Sequence, residues 1–421
     1  MEIYKFGGAS VKNAISIRNI ADILQKTKRS NLLIVVSAMG KTTNALERVV
    51  EYYLQKDTQF KNKLKEIKDF HDEILQDLFS SDRHPVFTTI DALFKEMTVF
   101  LDHNKSQQYD FVYDQVVSFG ELISTSIISS FLQDAGIHNE WLDVRLLLKT
   151  NADYRTASVD WKNTQQLIQN GVQPDKLYIT QGFIGSDENN FTTTLGREGS
   201  DYSAGIFAYC LQADKVTIWK DVPGVLNGDP KIFKNTILLH QISYEEAIEL
   251  AFYGASVIHP KTLQPLQRKE IPLRVRSFTD PDKKGTSIKK GKQLVPLVPC
   301  FIVKFKQIFL SLSSLDFSFI IEEKISLIFK IFHDHQIKVN LIQHSAISFS
   351  VCVEDPKSNF HKILPLLKRH FKVNYQQYVT LLTIRHYTPS SILEIEEKHD
   401  IIIKQVAGQT YQAIINSLNI V

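Results

Sequence analysis

The sequence predicts an α/β protein: one large domain built on a mostly parallel sheet, followed by two small α/β units. Four apolar segments, EIYKF (2–6), LLIVV (32–36), LYITQ (177–181) and KVTIW (215–219), have the length and composition of buried strands. Segments with helical spacing of apolar residues separate them. Because this alternation is typical of parallel sheets covered by helices, we assign residues 1–285 to the large domain.

Two amphipathic helices belong to this domain. The first lies between the first two strands, where Ile17 and Ile20 recur at helical spacing. The second follows Asp114 and ends before Gly136, a residue type that commonly follows the last turn of a helix. Residues 46–110 are charged and carry no strand pattern, so we predict a helical insertion there.

A different pattern begins after the large domain. Residues 286–299 contain proline, glycine and lysine, the composition of a linker. Residues 300–378 predict the order βαββαβ of one small ferredoxin-like unit. Residues 379–421 indicate a second, shorter copy that lacks one helix and one strand. We expect a strand from 298–305 to complete this copy.

Composition excludes several classes of protein. The chain has 421 residues, with 49 Lys and Arg against 46 Asp and Glu and a net charge of +3, so no excess of positive charge indicates nucleic-acid binding. The cysteines Cys210, Cys300 and Cys352 lie far apart and form neither a disulfide framework nor a zinc motif. The sequence shows no apolar run of about 18 residues and no signal peptide. We therefore expect a cytoplasmic protein that binds neither nucleic acid nor membrane.

The segment KFGGAS (5–10) carries the first candidate chemistry. Lys5 ends a strand, two glycines permit a tight turn, and Ser10 precedes a helix. Backbone N–H groups at such a turn, together with a lysine, can bind phosphate. The alternative is an ordinary turn with a surface lysine, so the motif needs support from other segments. MGKT (39–42) lacks the first glycine of a Walker loop, and we interpret it as a polar loop at the end of a strand.

A second group of candidates lies in TTTLGREGSDYSAG (192–205). Ser200 and Asp201 fit the N-cap and first-turn positions of the following helix. Capping does not explain Arg197, whose guanidinium close to a helix N-terminus suits a carboxylate or a phosphate. Further along, WKDVPGVLNGDPK (219–231) leaves a strand and contains two turn signals. It forms either two ordinary turns or a frame around a nucleotide.

Taken in order, these segments resemble the aspartate kinases (aspartokinases) of the amino-acid-kinase fold. The matching blocks are KFGGAS, SAMGKTTN (37–44), SFGE (118–121), GFIG (182–185), TLGREGSD, WKDVPGV and GASVIHP. The resemblance covers nearly all of residues 1–285 and implies a three-layer αβα domain. The two C-terminal units resemble the ACT domains that follow the kinase in this family.

The resemblance implies transfer of the ATP γ-phosphate, with Mg²⁺, to the side-chain carboxylate of L-aspartate. The product would be 4-phospho-L-aspartate, the first step toward lysine, threonine and methionine. An aspartate carboxylate has a pKa of about 3.9, so it is already ionised at neutral pH and needs no general base. The protein must instead position two anions and neutralise their charge.

The resemblance also assigns roles to matching residues. Lys5 would neutralise the transferring phosphoryl group, Asp201 would orient Lys5, and Arg197 would clamp the aspartate carboxylate. Glu121 would bind the ammonium group of aspartate. The ATP-binding candidates are Lys5, Phe6, Gly7, Gly8, Ser10, Lys220, Asp221 and Lys231. The substrate-binding candidates are Ser37, Thr43, Glu121, Phe183, Arg197 and Ser200. Mg²⁺ is expected mainly on phosphate oxygens, so we predict no metal site formed by the protein alone.

Four residues of the large domain depart from the family pattern. Ala9 replaces the usual threonine, and Glu198 replaces a common glycine beside the arginine of TLGREGSD. Leu226 replaces a tyrosine often found near the nucleotide, and Ser256 stands where many members have a lysine. The resemblance therefore carries over least at the contacts to the base and the ribose.

The tail departs from the pattern as well. VNLIQHSAIS (339–348) resembles the lysine-binding stretch of lysine-sensitive members, but Asn340 and Ala346 replace acidic residues there. A ligand ammonium group would lose two charged partners, so we predict weak or absent inhibition by lysine. The ACT-like units remain candidates for an amino-acid effector. Because such units pair across chains in this family, we expect a homodimer.

Two other functions stay open at this point. One is another enzyme of the amino-acid-kinase fold that phosphorylates a different carboxylate. The other is a catalytically silent protein that senses amino acids through its tail. The presence of Lys5, Arg197 and Asp201 together argues against a silent sensor.

Overall fold

A computed structural model describes residues 1–27, 30–255, 258–291, 293–316 and 318–416. The chain forms two compact units. The first contains Met1–Val225, Leu238–Ile248 and Val257–Leu294, and the second contains Leu226–Ile237, Glu249–Ser256 and Val295–Val421. The first unit is therefore not the continuous segment 1–285 predicted from the sequence, because two short segments inside it belong to the second unit.

One mostly parallel sheet organises the first unit. Its strands are β1 (Glu2–Phe6), β2 (Leu32–Val36), β3 (Glu140–Leu142), β4 (Leu177–Gln181), β7 (Lys215–Lys220), β8 (Gln241–Ser243), β9 (Leu273–Ser277) and β10 (Thr286–Lys289). They lie in the order β3-β4-β2-β1-β7-β9-β10-β8, and the antiparallel neighbours are β9 and β10. The four strands predicted from the sequence are confirmed and correspond to β1, β2, β4 and β7. A separate antiparallel hairpin contains β5 (Ile184–Ser186) and β6 (Thr192–Thr194).

The helices of this unit pack in two groups. The first group is α1 (Ala14–Thr27), α2 (Thr42–Leu54), α3 (Gln59–Leu78), α4 (Pro85–His103) and α5 (Tyr109–Asp134). The second is α6 (Trp161–Gly171), α7 (Gly199–Leu211) and α9 (Pro260–Arg268). The remaining helix, α8 (Tyr244–Tyr253), links segments of the two units. The stretch 46–110 is helical, as α2, α3 and α4 show.

Helix α5 forms the apolar centre of the first group. By length and composition alone it could cross a membrane, but 83% of its apolar window is buried inside the protein. It packs against β2, β4, α2 and α4. The helix ends before Gly136, whose φ of +76° suits glycine. This helix is therefore a core element of the domain.

The predicted linker 286–299 is wrong in its first part. Thr286–Lys289 forms β10, which pairs with β9 and β8. The Oγ1 atom of Thr286 donates to the carbonyl of Leu239 (2.6 Å) and accepts from the N–H of Val225 (2.8 Å). The strand is short and half polar, so the turn-forming residues around it dominate the sequence signal.

One antiparallel sheet organises the second unit. Its strands are β11 (Cys300–Ser314), β12 (Lys338–His344), β13 (Ser348–Glu354), β14 (Phe371–Arg385), β15 (Ile401–Ala407) and β16 (Thr410–Ile415), in the order β12-β13-β11-β14-β16-β15. The helices are α10 (Glu322–Asp334), α11 (Phe360–Lys368) and α12 (Pro389–Lys398). The predicted pair of ferredoxin-like arrangements is confirmed, but the two form a single sheet.

The two arrangements share the long strands β11 and β14. Residues 300–304 of β11 pair with 381–385 of β14, whereas 307–314 pair with 371–379. The register changes between these segments, where Lys306 and Tyr378 have positive φ angles of +55° and +61°. The first five residues of β11 therefore occupy the place of a fourth strand in the second, shorter arrangement.

Candidate active site

The candidate residues of the first unit lie at the carboxyl ends of parallel strands. Lys5 is the last residue but one of β1, opposite Val35 in β2 and Ile218 in β7. Ser37 follows β2, and Lys220 ends β7. Ligands of open α/β sheets bind beyond this edge, so the strand order alone brings residues from distant parts of the sequence together.

Three charged side chains meet at this edge. The Nζ atom of Lys5 lies 2.6 Å from Oδ1 of Asp201, and the Nζ atom of Lys220 lies 3.4 Å from Oδ2. Lys5 is 8% exposed and Asp201 is 3% exposed. Burial raises the pKa of Asp201, but the two ammonium groups outweigh this effect and hold the pKa below its ordinary value. The cluster thus carries one net positive charge, the sign that favours a phosphate.

Helix α7 supplies Asp201 from its first turn. The N-cap position is Glu198 rather than Ser200, which corrects the expectation from the sequence, and Glu198 has a φ of +54°. Ser200 and Asp201 lie in the first turn, where backbone N–H groups have no partner inside the helix and favour anions. A Cβ atom on Gly182 would lie 2.6 Å from Cβ of Ser200, so the turn after β4 can approach this helix end only with glycine there.

The loops after β1 and β2 contact each other directly. The N–H of Gly40 donates to the carbonyl of Gly8 (3.1 Å). A Cβ atom on Gly8 would lie 2.9 Å from the carbonyl oxygens of Ala38 and Gly40, a separation too short for any other residue. Ser10 is 2% exposed, and its hydroxyl donates to the carbonyl of Trp219 (3.5 Å). Glycine is therefore required where the candidate phosphate loop approaches its neighbour.

Other ATP-binding candidates occupy different surroundings. The ring of Phe6 is fully buried and stacks on Trp219 at 6.1 Å between centroids, so only its backbone is available to a ligand. Asp221 is exposed after β7. Lys231 is exposed too, but it belongs to the second unit. Its participation in the site stays a prediction.

Glu121 lies on α5 and is 2% exposed. Its Oε1 atom accepts the N–H of Ala38 (3.2 Å), and its buried Oε2 atom has no hydrogen-bond partner among the described residues. Burial raises the pKa of Glu121 to about 8, and the nearby charge of Lys5 opposes this only in part. A buried carboxyl group with one unused oxygen suits a ligand ammonium group.

The remaining substrate candidates surround this part of the site. Ser37 and Thr43 are partly exposed, and the carbonyl of Ser37 accepts the hydroxyl of Ser124 on α5 (2.8 Å). Phe183 has a φ of +70°, and its N–H donates to Oγ of Ser203 (2.9 Å). Sequence reasoning missed both of these supporting serines, because an isolated serine in a helix carries no recognisable signal.

Arg197 is exposed in the loop that leads into α7. In the part of the chain that the structure describes, its guanidinium takes part in no ion pair, so it remains available to an anionic ligand. Its neighbour Glu198 has a buried Oε2 atom without a hydrogen-bond partner among those same residues. Ala9 is exposed, Leu226 belongs to the second unit, and Ser256 lies outside the described residues.

Comparison with known proteins identifies the family. The amino acid kinase family model matches residues 1–277. Lysine-sensitive aspartokinase 3 of Escherichia coli is 34% identical over 361 residues, which cover 84% of this chain and 78% of that protein. This chain belongs to the amino acid kinase family, and within it to the aspartokinases. Aspartokinases are ATP-dependent kinases that act on the aspartate carboxylate, so the resemblance and the fold predicted from the sequence are confirmed.

Solved structures support the same assignment. The structure of E. coli aspartokinase III with lysine and aspartate (T-state) has a TM-score of 0.82 and 28% identity, and the match covers 98% of this chain and 95% of that one. The structure of the same enzyme with aspartate and ADP (R-state) has a TM-score of 0.81 and 28% identity, with coverage of 99% and 96%. The similarity therefore extends over both units of this aspartokinase.

Proposed function

We propose that this aspartokinase phosphorylates the side-chain carboxylate of L-aspartate at the edge of the sheet where Lys5, Asp201 and Lys220 meet. The buried ion cluster is the observation that supports this location. Two ammonium groups share one carboxylate there, so positive charge is fixed in place before a substrate arrives. Preorganised charge of this kind lowers the barrier because it needs no rearrangement during the reaction.

The reaction joins two anions. The aspartate carboxylate is ionised at neutral pH and attacks the γ-phosphorus directly, and ADP leaves. Lys5 and Lys220 neutralise the charge on the phosphoryl oxygens, while Asp201 keeps both ammonium groups at the edge of the sheet. The proposed further contacts to ATP in the first unit are the N–H groups of Gly7 and Gly8, the first turn of α7, Ser10 and Asp221.

The substrate must present its side-chain carboxylate toward these cations. Glu121 binds the ammonium group through its unused oxygen, and Arg197 binds a carboxylate of aspartate. Two opposite charges at separate points fix the orientation of a small zwitterion. Ser37, Thr43, Phe183 and Ser200 complete the proposed pocket around it.

Mg²⁺ is the proposed companion of ATP. When bound, it neutralises phosphate charge and holds the triphosphate in one geometry. The carboxylate at the ion cluster, Asp201, is already paired with two lysines, so it offers few free oxygens. This donor set fits a magnesium ion that takes most of its ligands from phosphates and water.

A hydroxamate assay tests the proposed reaction, because hydroxylamine traps an acyl phosphate. With Mg²⁺-ATP and aspartate the chain should form hydroxamate, whereas glutamate and N-acetylglutamate should give much less. Faster product formation with glutamate or N-acetylglutamate would favour a different carboxylate kinase. The absence of ATP-dependent product with all three substrates would favour a silent sensor.

We also propose a homodimer formed through the second unit. β12 is one of the two edge strands of its sheet. Apolar side chains lie exposed on this strand, directly after it and in the segment before α10: Leu315, Phe319, Ile321, Ile342 and Ile347 are 42–67% exposed. A patch of this kind is typical of a protein interface. Light scattering tests the proposal, and a monomer at working concentration would contradict it.

A cytoplasmic location is proposed because Cys210 and Cys352 are buried free thiols.

A further inference from the structure

A buried carboxylate outside the set of proposed ligands lies on the same helix as Glu121. Asp114 on α5 is fully buried. Its Oδ2 atom accepts the N–H of Arg155 (2.9 Å) and the N–H of Thr194 (2.8 Å), and its Oδ1 atom accepts the hydroxyl of Thr194 (2.7 Å). One side chain thus joins a helix, a loop and the end of β6. Buried networks that are fully satisfied in this way hold their members in one geometry.

The next residue of α5 holds the other end of the same strand. The side-chain amide of Gln115 donates to the carbonyl of Thr192 (2.8 Å), and its oxygen accepts the N–H of Thr192 (3.1 Å). β6 is therefore fixed to α5 at both ends. Gln115 holds the first residue of β6, Thr192, whereas Asp114 holds its last residue, Thr194. The chain continues from Thr194 to Arg197.

Both chain segments that Asp114 joins contain a residue proposed to bind the substrate. Along α5, Glu121 follows seven residues later, which is about two helical turns and therefore the same face. Along the other chain segment, Arg197 follows Thr194 by three residues. The N–H of the intervening Leu195 donates to the carbonyl of Phe183 (2.9 Å), so the segment between them is itself fixed.

The loop of Arg155 supports the same segment from a second side. A Cβ atom on Gly196 would lie 3.1 Å from the carbonyl oxygen of Arg155. The guanidinium of Arg155 lies over the ring of Tyr113 at 4.4 Å and pairs with Glu47 at 3.2 Å. Asp114 fixes the backbone of this loop, whose φ at Arg155 is +67°. The loop contacts Gly196, which directly precedes Arg197.

We propose that Asp114 is a positioning residue for aspartate binding, which sets the separation between Glu121 on α5 and Arg197 on the loop before α7. The inference rests on the proposed roles of these two ligands. Asp114 does not touch the substrate. Its effect is geometric, and small displacements of binding groups are costly, since an error of about 1 Å can reduce a rate roughly 100-fold.

The geometry distinguishes the shape of this side chain from its charge. In Asp114→Asn the amide oxygen can still accept both N–H groups, and the NH₂ group can donate to the hydroxyl of Thr194, which is able to accept. In Asp114→Leu the N–H groups of Arg155 and Thr194 and the hydroxyl of Thr194 all lose their partner. The asparagine variant should therefore behave like the native protein, and the leucine variant should not.

Isothermal titration of aspartate and of ADP into the full-length chain tests the proposal. Asp114→Leu should weaken aspartate binding at least tenfold and change ADP binding less than twofold, and Asp114→Asn should restore aspartate binding to within threefold. The matched control Gln115→Leu should lower the melting temperature but leave aspartate binding within threefold. If Asp114→Leu does not fold, Thr194→Val removes only the hydroxyl, and it should weaken aspartate binding about threefold or more.

Three results would overturn the proposal. Unchanged aspartate binding in folded Asp114→Leu or in Thr194→Val would show that Asp114 does not position the ligands. Equal losses for aspartate and ADP would show general damage to the domain. An Asp114→Asn variant as weak as Asp114→Leu would show that charge, not geometry, matters. These are binding measurements, so a failure of the proposed turnover in the hydroxamate assay remains a separate result.

Discussion

Binding of aspartate should release a proton from the enzyme. Burial raises the pKa of Glu121 to about 8, so its carboxyl group is mostly protonated at neutral pH. An ammonium group binds the ionised form, because a neutral carboxyl offers it no charge. The enzyme must therefore lose the proton before or during binding, and the Michaelis constant for aspartate should increase as the pH falls.

The pKa fixes the size of this effect. The apparent constant scales with one plus the ratio of protonated to ionised Glu121, which is about 1.3 at pH 8.5 and about 33 at pH 6.5. The constant for aspartate should therefore increase about 25-fold between these values. The aspartate side chain, with a pKa of about 3.9, stays ionised throughout. The Michaelis constant for ATP should change much less, because Glu121 is not among the proposed contacts to ATP.

Steady-state kinetics in the hydroxamate assay, at several pH values and saturating ATP, measure the effect. Glu121→Gln is the matched control, since its amide keeps the hydrogen bond with Ala38 but does not titrate. It should bind aspartate weakly, with a constant that changes less than threefold over the same range. A wild-type constant for aspartate that stays within threefold from pH 6.5 to pH 8.5 would refute the reasoning.

Two further predictions concern regulation and affinity. The Nζ atom of Lys304 already donates to Oδ1 of Asn340 (2.8 Å), so we expect millimolar lysine to inhibit turnover weakly or not at all. Asn340→Asp combined with Ala346→Glu should introduce inhibition. Wild-type turnover abolished by millimolar lysine would contradict this prediction. Glu198 places a carboxylate beside Arg197, so Glu198→Gly and Glu198→Gln should each lower the Michaelis constant for aspartate about fivefold, or roughly 1 kcal/mol of repulsion. Unchanged constants in both variants would show that the two charges do not interact with the same ligand.

The sequence predicts those elements whose pattern is local. β1, β2, β4 and β7 are continuous apolar runs, and α5 combines a helical period with Gly136 at its end. The motifs around Lys5 and Asp201 are recognisable because each lies where a strand or a helix begins or ends. Whether these motifs lie close together, however, depends on the order of the strands in the sheet. In the sequence, only the order of the motifs along the chain indicated this strand order.

Features that depend on distant partners escaped prediction. Asp114 is one acidic residue in a helix until the structure shows the N–H groups of Arg155 and Thr194 around it. β10 has too few apolar residues to be distinguished from a linker, because its stability comes from β8 and β9. The N-cap of α7 shifts to Glu198, since the backbone there adopts a positive φ that no local pattern requires.

The most direct test of the central claim compares two lysines on the same pair of strands. Lys5 pairs with Asp201 at the carboxyl ends of β1 and β7, whereas Lys215 pairs with Glu2 at the amino ends (3.0 Å). Lys5→Ala should lower kcat by about 1,000-fold or more, roughly 4 kcal/mol of lost transition-state stabilisation, while folded Lys215→Ala should stay within threefold of the wild type. A Lys5→Ala enzyme that keeps more than a tenth of the wild-type kcat would contradict the account.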